Sequence, residues 1–507
     1  MTQTSAVLAL AVLTTGPAAA RDPLSSIDWL SQEAVNAVNP DEPPVVQSAL
    51  PPDIAVMPLD RLSKDPVGLL PSDVTGLPHN IWSASNEQDI VALLRADRRD
   101  SLPAIVAFVK VLMQARADPP LGAGPDGALF LARVDRLVEL GAVEQAKSLI
   151  ELATPDTPPV FQRWFDLSLL TGTEDAACRV MNARPDLSPT NAARIFCLAR
   201  SGQWPVAVLS LNTHRVLGDI TLSEADMLAR FLDPELFEGA PPLAAPSNVT
   251  PLTFRLFEAF GEPLITRGLP LAFAHADLRG NNAWKAQLEA AERLARHGAV
   301  PENVLQNFYT ARRPAASGGI WDRAAAIIRL DAAISAGDPQ AVSQHLPAAW
   351  DAMKQARTEV PFAKLYSAAL QNMELRGEAD DIANRAGLLS EQYRTVAEKL
   401  AAAGGDSFDP FLIAIALGRP QDVPTSAPRA LAIQAAFAGA PAPVELQNLV
   451  ANGKTGEAML RAITLFNEGF AGEARSLTDA LALFLLLDLD DVARRTSLEL
   501  MILDRAT

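Results

Sequence analysis

The chain has 507 residues with 60 acidic and 43 basic side chains, which gives a formal net charge of -17. Such a surface repels phosphate backbones and anionic membranes, and no basic run interleaved with aromatic residues offsets the repulsion, so nucleic acid is not an expected partner. Aromatic residues make up only 6% of the chain. Because alanine, leucine and other helix formers dominate where strands would need β-branched and aromatic residues, the composition predicts an all-α protein.

Residues 1–20 have the organisation of a signal peptide. An apolar run, Ala6–Leu13, is followed by the breaker Gly16-Pro17 and by three alanines. This pattern predicts cleavage after Ala20, although the lack of lysine and arginine in the first residues leaves a buried or disordered N-terminus as the alternative. No cysteine follows the small residues, and no later apolar run approaches the ~18 residues of a membrane span. We expect a periplasmic or secreted protein that is soluble after cleavage and has no membrane span.

Residues 21–80 are predicted to form a short amphipathic helix followed by an extended arm. Trp29 lies beside an apolar stripe at helical spacing, formed by Ile27, Leu30, Ala34 and Val38. Prolines then recur from Pro40 to Pro78, which blocks helix propagation and favours extended backbone. We expect the arm to pack along its own body, because a permanently exposed apolar arm promotes aggregation. The alternative is that the arm reaches a partner and presents Trp29 to it.

From about residue 81 the sequence predicts one amphipathic helix after another, and Ser85 with Gln88 fits a capping box at the start of the first. Three turns share a detail: a glycine ends one helix and an alanine follows five residues later. These pairs are Gly141 with Ala146, Gly202 with Ala207, and Gly453 with Ala458. Glycine accepts the left-handed backbone that ends a helix, and a small residue in the next helix lets two axes approach closely. The spacing therefore predicts helical hairpins.

These turns resemble the tetratricopeptide repeat, whose inter-helix turn has the same interval, and Gly298 and Gly337 lie in looser variants of it. The resemblance implies a right-handed α-solenoid that presents a concave face to a peptide or protein. The intervals here are uneven, so the prediction is an irregular solenoid of hairpins. Proline- and glycine-rich breaks divide it into segments at 81–240, 241–405 and 406–507.

Two short segments, PLSSIDWLS and GLPLAFAHADLRG, together with the opening stretch of the chain, also resemble parts of alanine-rich exported bacterial proteins of unknown function, some of which carry the label antifreeze polyprotein. The label implies an ice-binding surface. This chain has neither an Ala-Ala-Thr array nor a regular Thr-x-Thr ladder to match an ice lattice. The resemblance is therefore to the exported proteins and not to an antifreeze activity.

The only two cysteines, Cys178 and Cys197, flank the segment RPDLSP. Pro185 breaks one helix there, while Ser188 and Pro189 suit the N-cap and first turn of the next. In an antiparallel hairpin both sulfurs would lie level with each other, which predicts a disulfide in an oxidising compartment. Two separately buried thiols are the alternative.

Catalytic motifs are weak throughout. Lys454 and Thr455 end a stretch that partly matches a phosphate-binding loop, but its first glycine is Asn448 and helix precedes it, so a hairpin turn is expected. His275 stands two residues before Asp277 and is expected to be a satisfied structural histidine. No paired metal-ligand histidines, nucleophile elbow or dinucleotide motif is present. We expect no metal, no cofactor and no enzymatic activity.

The stretch YTARRPAASGGIWDR, Tyr309–Arg323, concentrates arginines, glycines and aromatics. Pro314 should end the preceding helix, Ser317 offers an N-cap for the next, and Trp321 should face the core. What remains is Arg312-Arg313 beside the amides near Gly318-Gly319, a corner that could hold a partner's carboxylate; capping of the preceding helix by the arginines is the alternative.

These observations predict an exported periplasmic helical-repeat scaffold that binds another envelope protein or peptide. Candidate contact residues are Trp29, Arg312, Arg313 and Trp321. The alternative is a peptidoglycan hydrolase or a direct activator of one, although no compact segment surrounds a glutamate with converging polar groups.

Overall fold

The structure is a computed structural model that describes residues 63–96, 101–280, 282–404 and 408–503. All of these lie in the second of two units into which the chain divides, Pro58–Thr507. Apart from two isolated β-bridges, the described residues contain no strand, and their helices pack against neighbouring helices. The predicted all-α class is therefore confirmed. The predicted signal peptide, the Trp29 helix and the arm up to residue 62 lie outside the described residues.

The first twelve α-helices of the described residues are α1 (Ser72–Thr75), α2 (Glu87–Ala96), α3 (Pro103–Gln114), α4 (Ala128–Glu139), α5 (Val143–Ala153), α6 (Pro158–Thr171), α7 (Glu174–Ala183), α8 (Asn191–Arg200), α9 (Trp204–Leu217), α10 (Leu222–Leu232), α11 (Pro251–Ala259) and α12 (Ala274–Asp277).

The remaining α-helices are α13 (Trp284–Arg296), α14 (Glu302–Thr310), α15 (Ile320–Ser335), α16 (Pro339–Ala356), α17 (Glu359–Gln371), α18 (Glu378–Leu388), α19 (Tyr393–Ala403), α20 (Pro410–Leu417), α21 (Pro428–Phe437), α22 (Val444–Ala451), α23 (Thr455–Phe470), α24 (Ala474–Leu486) and α25 (Asp490–Ile502). Short 3-10 turns occupy Pro185–Leu187, Pro234–Phe237, Thr266–Gly268, Leu271–Phe273 and Pro420–Asp422.

The predicted glycine-to-alanine hairpins are confirmed. Gly141, Gly202 and Gly453 all have left-handed backbone, with φ of 71°, 78° and 75°. They join α4 to α5, α8 to α9 and α22 to α23, and each pair of helices packs together. The paired alanines, Ala146, Ala207 and Ala458, are completely buried. A larger side chain at these positions would separate the two helix axes.

Two predicted caps are wrong by one or two residues. Helix α2 begins after Asn86, whose Oδ1 accepts a hydrogen bond of 2.9 Å from the Gln88 amide, whereas Ser85 is buried one residue earlier. Helix α8 is capped by Thr190 and not by Ser188, because Pro185–Leu187 continue as a 3-10 turn that moves the helix start. In both cases another capping residue lies closer to the helix than the one predicted.

Cys178 on α7 and Cys197 on α8 have their sulfur atoms at disulfide distance, with Cα atoms 4.8 Å apart. Helices α7 and α8 pack against each other across the Pro185–Leu187 turn, as the hairpin prediction required. Both cysteines are buried, so the pair joins the two helices in the interior of the hairpin.

We expect the double variant C178A/C197A to lose about 3 kcal/mol of unfolding free energy, because the cross-link closes a loop whose ends are 19 residues apart and restricts the unfolded chain. Urea unfolding of the oxidised protein and the variant measures the difference. Reduced wild-type protein is the control and should resemble the variant. Two free thiols in exported protein, found by non-reducing mass spectrometry, would contradict the pairing.

Residues 63–70 pack back onto the helical body, which agrees with the expectation for this part of the arm. The side chain of Asp65 is completely buried, and its Oδ1 accepts a hydrogen bond of 2.7 Å from the Phe130 amide at the start of α4. Arg133, also completely buried, donates to the carbonyls of Asp65 and Val67 at 2.9 Å. Its other two hydrogen bonds reach the carbonyls of Met113 and Ala115, at 2.8 and 2.7 Å. One arginine therefore fastens this segment to the end of α3.

Helices near the two ends of the described part of the chain also pack against each other. Helix α2 contacts α23, and α3 contacts α25. At the first junction the Gly456 amide donates to the Ile81 carbonyl at 2.9 Å, and a Cβ at Gly456 would lie 2.5 Å from the Trp82 ring. At the second, Glu499 accepts a hydrogen bond of 2.8 Å from the Ala104 amide. The succession of helices thus closes on itself within this unit.

Candidate functional site

A chamber of about 1150 Å³ lies where the two ends of the helical unit meet. Its wall comes from distant parts of the chain, with α3 on one side, the turn between α13 and α14 and helix α17 on another, and α23, α24 and α25 completing it. Pockets that bind small ligands typically measure roughly 300–1,000 Å³. The chamber is therefore large enough for a ligand of several residues.

The wall is mainly apolar. It includes apolar side chains from four helices and two turns: Pro103, Ala107, Val111, Val300, Pro301, Val360, Pro361, Met459, Leu487 and Val492. Phe108 also lines it and packs edge to face on Phe484, with ring centroids 5.9 Å apart. That aromatic contact joins α3 to α24, so the packing that closes the helical unit also forms the chamber.

Lys110 is more buried than the other lysine and the arginine of this wall, with 8% of its surface exposed. Its Nζ donates hydrogen bonds of 2.6 Å to the carbonyls of His297 and Gly298, directly after α13 ends. Burial, together with the neighbouring ammonium of Lys364, lowers the pKa of Lys110 to about 8. Among the described residues no carboxylate lies within ion-pair distance of Lys110.

The other lysine and the arginine of the wall have carboxylate partners within it. Lys364 lies 3.6 Å from Glu391. Arg495 forms a 2.7 Å ion pair with Asp491, and its guanidinium lies 5.1 Å from the centre of the Tyr393 ring. The Tyr393 hydroxyl donates to the same Asp491 carboxylate at 2.9 Å. Lys110 therefore differs from its neighbours in having only carbonyl partners.

The predicted anion corner lies elsewhere and is partly occupied. Arg312 and Arg313 are exposed, and neither makes a hydrogen bond or ion pair with any described residue. The Gly318 amide donates to Asp322 Oδ1 at 3.0 Å, so the chain's own carboxylate takes the place expected for a partner's. Helix α15 begins after Gly319 and not after Ser317, because this glycine has a φ of 55° and Asp322 caps the turn.

Trp321 is half-buried and packs on Trp284, with ring centroids 5.1 Å apart. Its predicted core-facing position is therefore confirmed in part. Contact of Arg312, Arg313 or Trp321 with a partner stays a prediction, and Trp29 lies outside the described residues. None of the three described residues lines the chamber.

The first and last residues of the stretch YTARRPAASGGIWDR have a structural role that the sequence analysis did not predict. Tyr309 and Arg323 converge on Glu292 of α13, which is 5% exposed. The Tyr309 hydroxyl donates to Glu292 Oε1 at 2.7 Å, and Arg323 donates to both carboxylate oxygens at 2.9 and 2.8 Å. Burial raises the pKa of the Tyr309 hydroxyl, and the Glu292 carboxylate adds to the rise. The corner is thus fastened from inside by a buried charge cluster.

Two further expectations are confirmed. His275 is buried, and its Nε2 lies 2.7 Å from the Gly141 carbonyl, a structural contact that does not involve Asp277. Lys454 lies in the hairpin turn between α22 and α23 and Thr455 begins α23, and helix α22 precedes them. No described helix has both the length and the apolar character to cross a membrane.

Helix α9 exposes an apolar face that the sequence analysis did not single out. Val206, Leu209, Val216 and Leu217 are 47%, 67%, 87% and 65% exposed. Only Ala207 and Leu211 of this helix are buried. The signal was present in the sequence, since its apolar residues surround the helix and do not form one stripe.

The chamber itself could not be found from local patterns, because its wall joins residues near position 104 to residues near position 499. Comparisons with protein-family models, with curated proteins and with solved structures find no match to this chain.

Proposed function

We propose that the protein is an exported helical scaffold that binds a segment of another envelope protein, with the chamber as its binding site. The chamber carries the proposal: it combines a largely apolar wall with a few charged groups, which is the composition of sites that bind peptides and other organic ligands. Export to the periplasm rests on the signal-peptide pattern and on the cysteine pair.

The hairpin turns support the architectural part of the proposal. Their glycine-to-alanine spacing, with left-handed glycines and buried alanines, resembles that of the tetratricopeptide repeat, and we propose a right-handed solenoid on that resemblance. Such solenoids bind peptides on the inner surface of the superhelix. The exposed face of α9 offers a second apolar surface to a protein partner.

A tryptophan placed in the chamber should block binding. Ala107 lies on α3, is exposed and lines the chamber, so A107W would fill part of the volume without disturbing the buried core. Ala435 on α21 is equally exposed and lies outside the wall, which makes A435W the matched control. We expect A107W to weaken partner binding by about tenfold or more, as the loss of a well-filled site requires, while A435W binds normally. Surface plasmon resonance with the captured partner measures both.

The partner is identified by photocrosslinking in envelope extract from the native host. A photoreactive residue at position 107 should crosslink to one protein through one mapped segment. Unlabelled A107W protein, added as a competitor, should fail to displace that partner. Capture only from position 216, on the exposed face of α9, would move the binding site away from the chamber. Release of soluble muropeptides by the purified protein, abolished by one glutamate-to-glutamine change, would instead establish the hydrolase alternative.

A further inference from the structure

Lys110 is held in an unusual electrostatic setting within the chamber wall. It is 8% exposed and lines the same chamber as a second ammonium, Lys364, which lowers the pKa of Lys110 although it lies 3.6 Å from Glu391. A buried charge without an opposite charge costs free energy, and a like charge nearby adds to the cost. The two carbonyls after α13 offset part of it.

The hydrogen-bonding capacity of Lys110 is not exhausted by the protein. An ammonium group has three donors. Two of them are used by the carbonyls of His297 and Gly298, at 2.6 Å each. The remaining donor belongs to a charged group that has no carboxylate within ion-pair distance among the described residues, although Glu302, Glu391, Asp488, Asp491 and Glu499 also line the chamber. An anion in the chamber would accept that hydrogen bond and reduce the repulsion between the two lysines.

We propose that the chamber binds its peptide segment through a carboxylate, which accepts a hydrogen bond from Lys110 and lies beside Lys364. The inference rests on the proposed function, since it names the group of the bound segment that the chamber recognises. The other two cations of the wall already have carboxylate partners, Arg495 at 2.7 Å from Asp491 and Lys364 at 3.6 Å from Glu391, so Lys110 is the main anchor. The apolar wall around the lysines accepts the uncharged part of the segment.

The test uses three short probes and isothermal titration calorimetry with the full mature chain. The first is N-acetyl-trialanine with a free terminal carboxylate, the second is its amide, and the third is N-acetyl-Ala-Asp-Ala-amide, which carries a side-chain carboxylate. We expect the wild-type protein to bind one or both carboxylate probes about tenfold or more tightly than the amide, the effect of one charged hydrogen bond. Equal binding of all three probes, or binding of none, overturns the inference.

Two variants assign the preference to the lysines. K110M should abolish the difference between carboxylate and amide, and K364M should reduce it. K285M is the control, because Lys285 on α13 is 59% exposed and does not line the chamber, and it should keep the wild-type preference. If K110M alters folding, shown by circular dichroism, the result of K364M decides, since Lys364 is already 36% exposed. An unchanged preference in K364M would then overturn the inference.

The inference and the proposed function fail separately. A partner that crosslinks to position 107 but binds K110M as tightly as wild type would leave the scaffold intact and remove the carboxylate anchor. Absence of any crosslinked partner would remove the proposed function, while the probe titrations still report whether the chamber prefers a carboxylate.

Discussion

Replacing Glu292 by alanine is expected to lower the free energy of unfolding by about 3–5 kcal/mol, the cost of leaving a buried ion pair with one partner. The variant leaves Arg323, which donates to both Glu292 oxygens, without its carboxylate, and it removes the acceptor of the buried Tyr309 hydroxyl. Urea unfolding followed by circular dichroism measures the change. A chain of this length can unfold in more than one step. The urea midpoint of the step in which α13–α15 unfold is therefore compared between variant and wild type.

The control for this prediction is Glu289→Ala on the same helix. Glu289 pairs with Arg267 at 2.8 Å, but the arginine side chain is 71% exposed. Exposed pairs contribute about 0–1 kcal/mol, so E289A should be close to wild type. Tyr309→Phe, which removes one hydrogen bond and keeps the ion pair, should cost about 1 kcal/mol. Equal effects of E292A and E289A would show that the buried cluster does not fasten the corner.

Replacing Arg133 by methionine is expected to have an effect of similar size, about 3–5 kcal/mol, because several buried carbonyls lose a charged hydrogen-bond donor. The side chain is completely buried and donates four hydrogen bonds to backbone carbonyls, two from residues 65–67 and two from residues 113–115. Burial lowers the pKa of the guanidinium to about 10, so it stays charged at neutral pH. Methionine fills much of the volume but leaves these carbonyls without donors.

Two measurements test the R133M prediction, one of the stability of the whole protein and one of the attachment of residues 63–70. Urea unfolding gives the stability change, and limited proteolysis shows whether residues 63–70 are released from the body. R329M is the control, because Arg329 on α15 is exposed and makes no hydrogen bond or ion pair with a described residue. Wild-type stability and unchanged proteolysis in R133M would mean that apolar packing alone holds this segment.

The hairpins and the cysteine pair could be predicted because the signals are local. A glycine followed by an alanine five residues later acts within one turn, as Gly202 and Ala207 do between α8 and α9. Cys178 and Cys197 needed only the turn between them. The cap errors at Ser85 and Ser188 have the same origin, since a neighbouring Asn86 or Thr190 competes for a nearly equivalent position.

The candidate site could not be predicted in this way. Ser101 hydrogen-bonds to Asn467 at a separation of 366 residues, and the Gly456 amide meets the Ile81 carbonyl at the other junction. Contacts at such separations follow from the summed angles of many intervening hairpins, and no pattern within one helix encodes that sum. The convergence of Tyr309 and Arg323 on Glu292 was missed for the same reason, because it needs three helices in place.

By itself, the sequence determined the helical class, the positions of the hairpin turns, the pairing of the cysteines and the negative charge of the surface. Each of these depends on composition or on residues within about two turns of one another, where backbone preference and side-chain size act directly. Only the tertiary structure decided that the ends of the helical unit meet, that a chamber forms between them, and that Lys110 lies in its wall without an opposite charge. Those outcomes depend on close packing between distant helices. Burial there removes water, so a charge left without an opposite charge costs free energy.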